Sequence, residues 1–238
     1  MNHVSINLVH FSQIDEFGET SAGKNPPKRS DLVRMTIESI KKYTDYPAEL
    51  NVWDNGGNPD DSDYFLEQVR NGTINHYIRA KNNMHFAFGW NQLAKISTGK
   101  FLSFICNDIE VGSGWLSTCI KLLEKYKDRK LIATPFISYD KHRNTFETTE
   151  DARFNNRSGS NCNVMRTEDF EILGEWPVHK KGGTLWYNNL FGQGYRTVAP
   201  LEDLAIDRGY RHGVNFSIPI EVKKVLLDNS EIHFELKQ

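Results

Sequence analysis

Through about its first 137 residues the chain alternates short β-branched, apolar runs with longer segments whose apolar residues recur at helical spacing, and this alternation constrains the fold more than any other feature. Val4, Ile6, Leu8 and Val9 form the first run, and a polar stretch with Gly and Pro follows over residues 12–30. Ser30 is the expected N-cap of a helix carrying Leu32, Val33, Ile37 and Ile40, which the Tyr46-Pro47 step ends. Residues 49–53 read as a second strand closed by Asp54-Asn55-Gly56-Gly57, 64–69 as a second helical face, 75–78 as a third strand and 86–96 as a third helix. Residues 101–105 are a nearly continuous apolar strand of the kind covered on both faces. A well-patterned amphipathic helix over 115–126 and a strand over 131–137 complete the series. The α/β class follows: a mostly parallel sheet with helices on both sides. Residues 139–160 are polar and without strong period, which predicts either a loop over a site or an irregular hairpin. At 238 residues the length fits one large α/β domain or two small ones.

Charge and cysteine usage exclude several function classes. Twenty-nine basic against 31 acidic residues give a formal charge of −2, so no global attraction draws the chain to nucleic acid or an anionic membrane. Two local basic clusters remain, Lys28-Arg29 and His179-Lys180-Lys181. Cys106, Cys119 and Cys162 show neither CxxC nor Cys/His spacing, which argues against a disulfide framework and a structural zinc site and for a reducing compartment, the cytoplasm. No run approaches the roughly 20 apolar residues needed to span a bilayer, so stable membrane insertion is not expected.

In an open α/β sheet, ligands bind outside the carboxyl ends of the strands. Two of these ends carry aspartates: Asp54 after the second strand and Asp108 after the long apolar one. Asp54 sits in an Asn-Gly context that also makes an ordinary turn. Asp108 ends a buried strand, where a carboxylate has to be paired, hydrogen-bonded or metal-bound. A hard cation bridging such a carboxylate to a diphosphate is one chemistry that fits. Trp115 reads as core, Cys106 as a small buried filler, and Asn91 as either a site residue or a local hydrogen-bonding group.

The order of these motifs resembles the family 2 glycosyltransferases of GT-A fold. Ser39-Ile40 lies on the first helix, and Asp54-Asn55-Gly56-Gly57 ends the second strand with Gly57 where the family usually has Ser. Asn83, His85, Ala87 and Asn91 match the family's Asn-x-Gly-x-Ala-x-x-x-Asn, with His85 replacing the glycine. Ser97-Thr98-Gly99-Lys100 leads into Cys106-Asn107-Asp108, which stands for the Asp-x-Asp motif with cysteine in the first position, and Gly114-Trp115-Leu116 follows as in the family. Farther on, residues 159–166 with Phe170, Leu173, Gly174 and Trp176 continue the likeness. Taken together in this order, the motifs carry weight that none has alone.

The resemblance implies a single domain, 1–238, built on a Rossmann-like sheet, whose first half, about residues 1–137, binds a nucleotide-diphosphate sugar, UDP-sugar being the commonest donor, and whose irregular C-terminal part, about 138–238, shapes an acceptor site. It implies that Asp54 and Asn55 contact the base or ribose, that Asn83 and Asn91 line the donor pocket, and that Val9 and Asn107 complete the set. Asp108 is the implied ligand of Mn²⁺ or Mg²⁺, with Asp207 or His212 as its partner. Gly182 and Gly183 stand where the family's acidic pair precedes Gly194-Tyr195, so Glu202 or Asp203 is the nearest carboxylate for a general base. The acceptor is left open among a glycan, a protein side chain and a hydroxylated nucleic-acid base. The rival reading is a binding module of transferase ancestry that has lost catalysis.

Overall fold

A computed structural model describes residues 3–12, 28–136, 145–156, 161–178, 182–208, 221–228 and 231–237. The first part runs β1 (Val4–His10), α1 (Arg29–Tyr43), β2 (Ala48–Asp54), α2 (Pro59–Arg70), β3 (His76–Arg79), α3 (Phe86–Ile96), β4 (Phe101–Cys106), β5 (Ile109–Val111), α4 (Trp115–Lys125) and β6 (Leu131–Ala133). The second runs β7 (Thr145–Thr148), β8 (Ala152–Asn155), β9 (Cys162–Arg166), α5 (Thr167–Leu173), α6 (Gly182–Gly192), β10 (Arg196–Pro200), β11 (Ala205–Asp207), β12 (Glu221–Asp228) and β13 (Glu231–Lys237).

One nine-stranded sheet has the order β3-β2-β1-β4-β9-β6-β10-β8-β7. Its pairings leave all strands but β8 and β9 running in one direction, and it continues across residue 137 into the second part of the chain. Alternation along the strands sends residues to two cores. Val4, Ile6 and Leu8 of β1 pack with Val33, Ile37 and Ile40 of α1, Phe65 of α2 and Trp115, Leu116 and Cys119 of α4. Val9, Trp53, Leu102 and Phe104 face the other way, into a core with Trp90 and Leu93 of α3, Trp176, and Trp186 and Leu190 of α6. This two-sided burial is what the apolar run of β4 demands. Trp115 is core, as read from the sequence.

Local chemistry adjusts several boundaries. α1 starts at Arg29 with Lys28 as a cap that makes no side-chain bond. Ser30 is therefore not the cap; its hydroxyl donates instead to Asp61 Oδ2 at 3.0 Å. β6 stops at Ala133 because Pro135 has no N–H to extend a ladder. The polar stretch after residue 138 contains the hairpin alternative: β7 and β8 pair antiparallel at the sheet edge. Gly99 enters β4 where a Cβ would lie 2.6 Å from Ser5 N, so the turn admits no side chain. Two small ribbons stand apart from the main sheet, β5 with β11 and β12 with β13. Among the described residues no helix is long and apolar enough to cross a membrane.

Candidate functional site

The registers Val9↔Trp53, His10↔Asp54 and Val9↔Cys106 bring the carboxyl ends of β1, β2 and β4 to one edge of the sheet. Val9 itself is packed in the core beneath that edge. Asp54 is fully buried there. Its Oδ1 accepts from Gly57 N at 2.6 Å, and its Oδ2 accepts from Ser62 Oγ at 3.1 Å and Tyr77 Oη at 3.0 Å, with Arg79 Nε 3.5 Å away. Burial, with the Asp54 charge beside it, pushes the Tyr77 hydroxyl up to about 12. A Cβ at position 57 would lie 2.9 Å from Asp54 Oδ1 and 3.0 Å from Ser12 Oγ, which explains why Gly57 stands where a serine was expected.

Asn55 ties this edge to the next loop. Its N–H donates to His10 O at 2.8 Å, and its Oδ1 accepts from Trp53 Nε1 at 3.1 Å and Met84 N at 2.8 Å. Asn83 Oδ1 accepts from His85 N at 2.9 Å. His85 has φ 74°, the one positive φ outside glycine among the described residues, so the backbone shape expected of a glycine is kept by a histidine. Its Nδ1 accepts from Ala87 N at 3.3 Å and caps α3. Asn91 is buried and joined reciprocally to the Trp176 backbone, donating to its O at 2.8 Å and accepting from its N at 2.9 Å. Its amide thus fastens α3 to the segment after α5 through a pair of bonds between residues 85 positions apart.

A buried relay that no sequence motif announced links this floor to the end of β4. Asn107 donates from Nδ2 to His10 Nδ1 at 2.9 Å, which leaves His10 Nε2–H to donate to Asp61 Oδ2 at 2.9 Å. His10 and Asp61 are fully buried. Burial by itself would raise the Asp61 carboxyl, but hydrogen bonds from His10, Ser12 and Ser30 more than offset it and hold the group down at about 2. Asn107 is thereby held from the protein side, next in sequence to Asp108.

Asp108 differs in kind. It is 7% exposed, and its Oδ2 accepts from Arg29 Nη1 at 2.7 Å. Its Oδ1 is buried and has no hydrogen-bond partner among the described residues. β11 pairs antiparallel with β5, setting Asp207 opposite Ile109, the residue after Asp108. Arg208 N donates to Asp108 O at 2.8 Å, and Asn161 Nδ2 donates to Asp207 Oδ2 at 3.2 Å. Burial first, then the charges of Asp108 and Asp207, push the Cys106 thiol well above its ordinary range. That makes Cys106 a packing residue rather than a nucleophile. A buried carboxylate oxygen without a partner among the described residues, with a second carboxylate on the strand paired next to it, offers hard oxygen donors that suit a divalent cation. Among the described residues no group of three or more His, Cys, Asp and Glu side chains gathers to hold one. His212 lies outside the described residues.

The same ribbon also sets where the two candidate base carboxylates lie relative to Asp108. In an antiparallel pair with Asp207 at the Asp108 end and Ala205 opposite Val111, the residues before β11 lie at the far end. Glu202 and Asp203 are therefore carried away from Asp108. Asp203 accepts from Arg153 Nη2 at 3.0 Å and lines a separate open cleft of about 400 Å³ with Tyr43, Glu110, Gly112 and Arg208.

The family model described as Glycosyl transferase family 2 matches residues 28–178. No curated protein sequence matches the chain. Among solved structures, mannosyltransferase PcManGT from Pyrobaculum calidifontis, in complex with GDP-Man and Mn²⁺, superposes with a TM-score of 0.64 at 12% identity over 88% of this chain and 58% of that one. GalNAc-T7 with UDP, GalNAc and Mn²⁺ superposes with a TM-score of 0.59 at 13% identity, over 89% of this chain and 45% of its own. The chain thus spans about half the length of these two proteins, and at such identity the likeness is one of fold.

Proposed function

The chain belongs to glycosyl transferase family 2 and has the GT-A architecture, and from that premise we propose that it moves a sugar from a nucleotide-diphosphate donor to an acceptor hydroxyl with the help of Mn²⁺ or Mg²⁺. The observation that carries the reading is Asp108, in the turn after β4, whose buried Oδ1 has no hydrogen-bond partner among the described residues, with Asp207 set opposite the next residue, Ile109. These two carboxylates would hold the cation. When bound, it supplies Lewis-acid stabilisation of the departing nucleoside diphosphate.

The rest of the edge positions. The bonds of Asp54 and Asn55 fix the loops after β2 and before α3, so that their backbones and the Asn83 turn form the floor on which a nucleotide rests. A UDP-sugar is the donor we favour; the two solved structures named above hold GDP-Man and UDP, each with Mn²⁺. In this reading residues 1–137 bind the donor, and residues 138–238 of the same domain face a glycan, a protein side chain or a modified base. None of the three cysteines is in a disulfide, which suits a reducing cytoplasm. A second reading, a binding module without turnover, draws support from the remoteness of Glu202 and Asp203 from Asp108.

A panel of UDP- and GDP-sugars with Mn²⁺ or Mg²⁺, followed by release of nucleoside diphosphate, separates the two. Release in the wild type that is lost in Asp108→Ala is the expected result. Tight binding with no release in the presence of diverse acceptors supports the binding module. Neither binding nor release contradicts both.

A further inference from the structure

One cationic side chain stands on the proposed cation ligand itself. Arg29 Nη1 lies 2.7 Å from Asp108 Oδ2, with the two side chains 18% and 10% exposed. It extends from the first residue of α1, and that end of the helix is anchored by the bond of the neighbouring Ser30 to the buried Asp61. Arg29 is therefore delivered to Asp108 by the fold and is not a wandering surface residue.

A guanidinium and a divalent cation on one carboxylate repel each other at close range, and the partial burial of the pair strengthens that repulsion. An anion placed between them removes the conflict. A diphosphate is such an anion, and the planar fork of arginine suits its oxygens better than the point charge of lysine does. We propose that Arg29 is a further donor-binding residue, which neutralises Asp108 until a cation takes that place and then engages the donor's diphosphate. Cation and diphosphate accordingly bind with positive coupling, each raising the affinity for the other. The inference rests on the reading of Asp108 as the cation ligand.

Mn²⁺ binding, read from the electron paramagnetic resonance signal of the free ion, tests this on the intact chain with and without UDP or GDP. For wild type, the nucleotide is expected to tighten Mn²⁺ binding by about 5- to 150-fold, the ordinary range of coupling between sites. In Arg29→Gln, Mn²⁺ alone binds more tightly because its competitor is gone, nucleotide binds less tightly, and the coupling factor falls toward one. Arg29→Lys keeps the competing charge but not the fork, so Mn²⁺ affinity stays near wild type while nucleotide affinity drops. Should the glutamine variant fail to fold in a thermal melt, the lysine variant carries the test. Unchanged Mn²⁺ affinity and unchanged coupling in a folded Arg29→Gln would reduce the contact to a structural ion pair and overturn the proposal, as would weaker Mn²⁺ binding with coupling intact. Absence of Asp108-dependent Mn²⁺ binding in the wild type would show before any Arg29 variant is made, and would bring down the cation-site reading together with the proposal.

Discussion

Asp54 and Asp108 each end or follow a parallel strand at the carboxyl edge of one sheet, and as sequence they are near equals. In the structure they are opposites. Asp54 is fully buried, and its two oxygens are taken by Gly57, Ser62 and Tyr77, with Arg79 close by. Among the described residues, Asp108 has one side-chain hydrogen-bond partner, Arg29 on Oδ2, and its Oδ1 has none. A satisfied carboxylate is a piece of architecture; a buried, half-satisfied one carries a cost that an added ligand can relieve. The edge therefore divides into a floor that the protein finishes by itself and a corner that it leaves to something else.

The largest effect separates the two by activity. Asp108→Ala is expected to cut release of nucleoside diphosphate by about a thousandfold, the several kcal/mol that a Lewis-acid cation contributes, while the melting temperature changes little, because the relief of the unpaired oxygen is opposed by the loss of the partner of Arg29. Asp54→Ala should do the reverse, lowering stability by about 3 kcal/mol because three donors and Arg79 lose a buried acceptor. Denaturant titrations of both variants check this. A stable but inactive Asp54→Ala would break the comparison and give Asp54 a direct role with the nucleotide.

How far these roles were legible depends on the range of the interactions involved. The bounds of α3 follow from helical periodicity, and the course of β4 from its nearly continuous apolar run, because both are written in neighbouring residues. The Asp61–His10–Asn107 relay joins residues 51 and 97 positions apart, and no local pattern signals it. Ser30 misled for the same reason: the acceptor that claims its hydroxyl sits on α2. Glu202 and Asp203 are marked in the sequence only by their distance from Gly194-Tyr195, whereas the long-range pairing of β11 with β5, which sets Asp207 opposite Ile109, has no local signature. The departures Gly57 and His85 are readable only once the neighbours are placed: one has no room for a side chain, and the other builds a cap from its own ring.

His85 sharpens the comparison on the floor side, where the backbone itself is strained. A histidine at φ 74° and ψ 146° bears about 1–3 kcal/mol of strain that a glycine avoids. His85→Gly relieves that strain but loses the cap, leaving stability within about 1 kcal/mol of wild type. His85→Ala keeps the strain and loses the cap, so it should fall about 1 kcal/mol below the glycine variant. Paired thermal melts decide it. Equal stabilities of the two variants would mean that position 85 relaxes to a negative φ and that the α3 entry is not fixed by the floor.

The smallest effect lies between floor and corner, in the pH dependence of Asp61. Its carboxyl sits at about 2 in the folded chain against an ordinary value of 3.8, so the folded state favours the ionised form. The stability this contributes is complete above about 4, and it drains away as the pH falls toward 2 and the carboxylate takes up a proton. Protonated Asp61 no longer accepts equally from His10 and Ser30, and the loosened imidazole releases Asn107 and, with it, the turn that presents Asp108. Asp61→Asn carries no charge to titrate. Melting temperatures between pH 5 and pH 2 should therefore show a lower plateau and a shallower acid limb for the variant than for the wild type. Parallel acid limbs would mean that other carboxylates set the acid stability and that the relay joins floor to corner by shape alone.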